Sequence, residues 1–213
     1  MFSKCSRIRK LTAIILAVMC ACMMMPAWAE TATMDVEEMF GTVSGDIYEN
    51  AFLGLGCKLE GWHYYSDEEL EGVNQRTKDA LSDEFDDLVD QSIGLMMVEQ
   101  PGGMQNANIQ LQNVKNYVSI YKMMGIKTVA ENSISGFKLT LEAANFTDIQ
   151  LEVGEQKIGD QTFTCMIGQY KIKGVQIYFR QVWDVRDIYL VTVTATTVLE
   201  DKTEEVFSQF YLL

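Results

Sequence analysis

Four extended runs in succession, Thr147 to Ile158, Thr162 to Ile172, Val175 to Asp184 and Ile188 to Val198, constrain this chain more than any other feature. All four are rich in β-branched and aromatic residues, and only Gly159-Asp160, Lys173-Gly174 and Val185-Arg186-Asp187 separate them. Breaks of two or three residues leave no room for a crossover helix. Consecutive runs must therefore pair antiparallel, as a meander.

Upstream, Ile93 to Gln100 and Ala107 to Val114 read as two more strands, joined by a turn at Pro101-Gly102-Gly103. Asn116 to Met124 and Ser133 to Ala144 carry helical spacing, as in Tyr117/Ile120/Tyr121/Met124 and Ile134/Phe137/Leu141/Ala144, while Gly125 and Gly136 argue against one straight helix. From Ala51 to Leu59 apolar residues alternate as in a half-buried strand, and Trp62 to Tyr65 continues in extended-type residues. Ser66 followed three residues later by Glu69 is a capping box, so a helix starts there. In that helix Leu81, Phe85 and Leu88 form a buried stripe, with Asp79, Asp83, Asp86, Asp87 and Asp90 on the opposite, solvated side. Asp201 and Glu204 repeat the capping pattern before a last helix whose Val206, Phe207, Phe210 and Tyr211 make one apolar face. Strands in the middle with helices before, between and after them predict an α+β fold, a central antiparallel sheet flanked by helices.

The first residues carry an address. Lys4, Arg7, Arg9 and Lys10 precede the apolar run Leu11 to Met25, and Ala27-Trp28-Ala29 supplies the small–x–small pattern read by signal peptidase. A secretory signal peptide over 1–29 is expected, with an uncleaved anchor and lipid attachment at Cys22 as rivals. Residues 30–46 are polar and acidic and read as a tether, leaving 47–213 as a single domain outside the cytoplasm with no further membrane span.

Charge and cysteines narrow the chemistry. Subtracting the four basic residues of the leader from the formal charge of −13 gives −17, which argues against nucleic acid and anionic lipid as partners and is compatible with a basic surface or an envelope protein. Cys57 and Cys165 sit on alternating apolar positions, Leu53/Leu55/Cys57/Leu59 and Phe163/Cys165/Ile167. Buried free thiols are expected, with a bridge between them as the alternative. His63 is the sole histidine, so a Ser-His-Asp or Cys-His system would have to use it, and a surface or edge position is expected instead. A histidine-based metal site fails on ligand count, and no cofactor motif is present. Asp83, Asp86, Asp87 and Asp90 remain as a candidate surface for a cation or a basic partner, although they lack the curved loop and central glycine of a calcium site.

The order of elements, with Leu53-Gly54-Leu55-Gly56, Gly61-Trp62-His63-Tyr64-Tyr65, the capped Ser66-Asp67-Glu68-Glu69-Leu70 and the closing segment from Val175 to Tyr211, resembles the PsbP-like fold. An extrinsic photosystem subunit, a nuclear Ran-release factor and many small bacterial exported proteins share that fold. The resemblance implies an α/β/α sandwich, and no binding motif of the photosystem or Ran-binding members matches positions in this chain. A non-catalytic binding or accessory domain at the envelope or outside the cell is the expected function; the alternative is a hydrolase of envelope material using two converging carboxylates.

Overall fold

The computed structural model describes residues 39–72 and 92–213. In chain order its elements are β1 (Thr42–Ser44), β2 (Ile47–Asn50), β3 (Leu55–Lys58), β4 (His63–Tyr64), a helix α1 beginning over residues 67–72, β5 (Ser92–Glu99), β6 (Gln105–Asn113), α2 (Val118–Met124) and α3 (Ile126–Ala143). The meander follows as β7 (Thr147–Ile158), β8 (Gln161–Ile172), β9 (Val175–Arg186) and β10 (Tyr189–Val198), and the chain closes with α4 (Thr203–Phe207) and β11 (Phe210–Leu212).

The four expected runs lie where their composition placed them, each within two residues of its observed ends. Lys173 and Gly174 both take positive φ, 50° and 81°, the two-residue turn whose twist matches the flanking strands. Together with β4 and the β5/β6 hairpin the four runs build a seven-stranded antiparallel sheet in the order β4-β5-β6-β10-β9-β8-β7. β10 is therefore central, and all ten of its residues are buried.

Side-chain alternation sends β10 into two different cores. Tyr189, Val191, Val193 and Ala195 join Ile109, Leu111, Cys165 and Val182 on one face, whereas Leu190 and Val198 join Phe179, Trp183 and Tyr170 on the other. α3 covers part of the second face, where the Phe137 and Phe179 rings stack with centroids 5.6 Å apart and Phe146 and Tyr170 stack at 4.9 Å. Gly125, at φ 79°, separates α2 from α3 as expected, but α3 runs on through Gly136.

The first face corrects the α/β/α layering implied by the family resemblance. A second antiparallel sheet, in the order β1-β2-β3-β11, packs there with α4, and Tyr48, Leu55, Cys57, Phe207 and Phe210 supply its apolar side. The layers are thus helix, sheet, sheet. Two misread segments account for the difference. Ala51 to Leu59 is not one strand, because residues 51–54 form the turn between β2 and β3, with Gly54 at φ 63°. The last helix stops at Phe207, so Phe210 and Tyr211 lie on β11 opposite Cys57 and Gly56. Gly56 leaves room for the Tyr211 ring, since a Cβ there would stand 2.6 Å from it and the ring would have to shift.

The start of the fold is also earlier than Ile47. Met39 is fully buried, its carbonyl accepts Asn50 Nδ2 at 2.9 Å, and β1 pairs with β2, so residues 39–46 belong to the small sheet rather than to a tether. The expected leader and residues 30–38 lie outside the described residues. Among the described residues no helix is long and apolar enough to cross a membrane.

The two capping boxes diverge. At α1, Glu69 N–H donates to Ser66 Oγ at 3.3 Å and Ser66 N–H to Glu69 Oε2 at 2.9 Å, the reciprocal pair. At α4 the box does not form, because Asp201 Oδ1 instead accepts Thr203 N–H and Thr203 Oγ1 at 3.1 and 2.7 Å. Glu204 turns to Arg180, whose Nη2 donates to its Oε1 at 2.8 Å. Arg180 is itself buried on β9 and also donates to Gln156 Oε1 at 3.1 Å, so it ties α4 down onto the sheet.

Candidate functional site

The stretch around the sole histidine is a braced corner. His63 stands on edge strand β4 with its side chain 60 % exposed, and its Nε2 lies 2.9 Å from Glu69 Oε1. Glu69 thus serves both the helix cap and the imidazole. Its carboxyl is held below the ordinary range, first by the Ser66 backbone N–H and then by His63. Asp83, Asp86, Asp87 and Asp90, the acid surface expected from the sequence, lie outside the described residues. Among the described residues no group of three or more His, Cys, Asp or Glu side chains is placed to hold a metal ion.

Cys57 and Cys165 are free, fully buried thiols in the core between the two sheets. Burial pushes Cys57 up to about 11 and Cys165 up to about 12. Burial thus favours the neutral thiol over the thiolate at both positions.

A feature not anticipated from the sequence occupies the helix side of the large sheet, across β6 and β10. Alternation in β6 sends Ala107, Ile109 and Leu111 to the intersheet core and Asn106, Asn108, Gln110 and Gln112 the other way. On β10 the matching row is Thr192, Thr194 and Thr196. Register sets these rows side by side, with Thr192 opposite Gln110, Thr194 opposite Asn108 and Thr196 opposite Asn106. Directly opposed residues bring their Cβ atoms to about 4.5–5.5 Å, so the rows form one amide and hydroxyl strip.

The strip is buried and incompletely paired. All seven residues are at most 7 % exposed. On the β9 side a chain of bonds reaches in from the aromatic core: Trp183 Nε1 donates to Gln181 Oε1 at 2.8 Å, and Gln181 Nε2 donates to Thr194 Oγ1 at 3.0 Å. On the β5 side Glu99 sits opposite Asn106, and its Oε2 accepts Tyr65 O–H at 2.8 Å. Between these anchors Asn106 Oδ1, Asn108 Nδ2, Gln112 Oε1, Thr192 Oγ1 and Thr196 Oγ1 find no hydrogen-bond partner among the described residues. A buried polar atom without a partner costs about 1–3 kcal/mol. Five of them in one place are a large cost against a domain's net stability of roughly 5–15 kcal/mol.

Chemically the strip offers acceptors, amide donors and hydroxyls that serve as either, and its seven residues carry no formal charge. Such a surface can hold hydroxyl and amide groups in fixed orientation. None of its seven residues is an acid or a base. Glu99 is the only buried carboxylate among the described residues. The sequence signal that could have revealed the strip is the lack of charge: a row facing water would carry Lys, Glu or Asp, as β7 does at Glu155 and Lys157.

The fold and site define a mixed α+β domain of two antiparallel sheets, the larger of them carrying a buried neutral polar strip. No protein-family model matches the chain. No curated protein matches it either. Among solved structures it is similar to a crystal structure from Bacteroides thetaiotaomicron, at 10 % identity and a TM-score of 0.37, over 80 % of this chain and 49 % of that one. The chain therefore spans about half the length of the solved chain it matches.

Proposed function

We propose that this protein is an exported, non-catalytic binding domain whose strip on β6 and β10, closed to solvent in this structure, opens to hold a neutral, hydroxyl-rich ligand, a saccharide. The observation that carries the reading is the set of five buried polar atoms that have no partner among the described residues. A saccharide presents neutral hydroxyls that donate and accept in alternation, which is what unpaired amide and threonine groups require. The basic and apolar leader pattern of residues 4–29 supports export. Membership of the PsbP-like group is part of the proposal: the antiparallel meander with a helical layer favours it, and the small sheet on the opposite face departs from it.

The test is thermal unfolding of the full chain against a panel of neutral, acidic and amino sugars. A ligand at a hundredfold excess over its Kd adds about 2.7 kcal/mol, a rise in midpoint of several degrees for a domain of this size. Neutral sugars are expected to raise the midpoint and glucuronate or glucosamine to leave it unchanged. If no sugar moves the midpoint and a high-resolution structure fills the strip with ordered water alone, the strip is a hydrated structural seam and the proposal fails.

A further inference from the structure

From Gln100 to Ala130 the chain contains no aspartate or glutamate, in a protein that carries 30 of them against 17 lysines and arginines. The charged residues in that stretch are Lys115, Lys122 and Lys127, and all three are exposed. α2 lies among them. Tyr121 is buried and fixes α2 to the aromatic core, while Ile120, Met123 and Met124 point outward, 37 %, 81 % and 38 % exposed. The i, i+3, i+4 spacing puts these three side chains on one face of the helix. Gly125 then turns the chain at φ 79° so that Lys127 opens α3 directly beyond the apolar tip.

We propose that the tip of α2 docks this protein on an anionic lipid surface, with Ile120, Met123 and Met124 entering the headgroup boundary and Lys115, Lys122 and Lys127 pairing with lipid phosphates. The inference is independent of the saccharide reading, because the patch is formed by different residues. Three exposed side chains are far too small for a stable protein–protein interface, which buries about 1,200 Å² or more. Reversible membrane docking instead sums a little apolar insertion with a few lysines, each weak alone. The acidic net charge does not oppose it, since beyond about 8 Å exposed charges are screened at physiological ionic strength. Along the chain the next acid after the patch is Glu131, one turn into α3, and among the described residues Asp187 precedes Ile188, whose carbonyl accepts Val114 N–H at 2.8 Å. The segment that forms the patch contains no acid of its own. The whole-chain charge balance, which pointed away from anionic lipid, averages over this local reversal of sign.

Vesicle co-sedimentation of the full chain tests the proposal, using phosphatidylcholine alone and phosphatidylcholine with about 30 mol % phosphatidylglycerol. The deciding comparison is between wild type and variants of the same chain, in which any contribution from the apolar residues 11–25 cancels. Wild type is expected to sediment with the anionic vesicles only, and to be released by high salt. Each lysine is worth roughly a factor of five, so Lys115→Gln/Lys122→Gln/Lys127→Gln should weaken binding on the order of a hundredfold. Met123→Ser should weaken it in its own right without changing the melting midpoint. Equal sedimentation of wild type and the lysine variant overturns the proposal. So does a wild type that ignores both vesicle types, including one that self-associates or captures an acidic protein through these residues.

Discussion

The helix side of the seven-stranded sheet is two surfaces in one plane. Over β8 and β9 it carries Tyr170, Phe179 and Trp183, and α3 lays Phe137 and Leu141 on them. Over β10 and β6 it carries threonine, asparagine and glutamine, equally buried, with five polar atoms that have no partner among the described residues. The boundary runs through single cross-strand pairs: Phe179 stands opposite Thr196, Gln181 opposite Thr194 and Trp183 opposite Thr192. Burial alone therefore does not say what a position contributes. The aromatic half gains from being dry, whereas the polar half is a stability cost of the kind that proteins retain at binding sites.

That contrast is sharpest at the Phe179/Thr196 pair. Phe179 is 1 % exposed and touches Phe137, Tyr170 and the space above Gly168. Phe179→Ala is expected to cost about 3–5 kcal/mol, read as a lowered midpoint in denaturant. A loss below about 1 kcal/mol would mean that the two halves do not differ as drawn. Gly168 tests the same half from the opposite direction. A Cβ there would lie 2.7 Å from Leu151 Cδ2 and closer still to the Phe179 ring, so Gly168→Ala overpacks the site and should cost about 1–3 kcal/mol. Its φ is not positive, so the loss would report crowding rather than backbone strain.

The aromatic half was legible in the sequence and the polar half was not, for a physical reason. Long runs such as Thr147 to Ile158 give many repeats of a two-residue period, and turns such as Lys173-Gly174 fix where they end, so the strands and their pairing could be read off. β1, β2, β3 and β11 have three or four residues each, too few for a period to register. The spacing of Val206, Phe207, Phe210 and Tyr211 fits a helix as well as it fits a helix end and a strand, and only the pairing of β11 with β3 separates the two. In β6 the alternation itself was clear, but a polar row is ordinarily the row that faces water. What marked it as different was that Asn106, Asn108, Gln110 and Gln112 bear no charge. His63 and Ser66 were placed correctly as an edge residue and a cap; that Glu69 joins them is a tertiary fact their spacing only allowed.

The smallest expected effect is the most informative one. Thr196 is 1 % exposed and its hydroxyl has no partner among the described residues, so Thr196→Val replaces an unpaired polar atom by a methyl of nearly the same size. A hydroxyl that were hydrogen-bonded would cost about 1 kcal/mol or more to remove, whereas an unpaired one carries a desolvation cost that the valine relieves. The midpoint of Thr196→Val is therefore expected to equal or exceed that of wild type. Across the strand, Phe179→Ala lowers it severely. The same valine removes a group the ligand would use, so the midpoint rise given by a neutral sugar should shrink even as the free protein holds steady. A Thr196→Val protein that loses stability and keeps the sugar response would reverse both signs, making the threonine row a structural network and moving the binding site off β10.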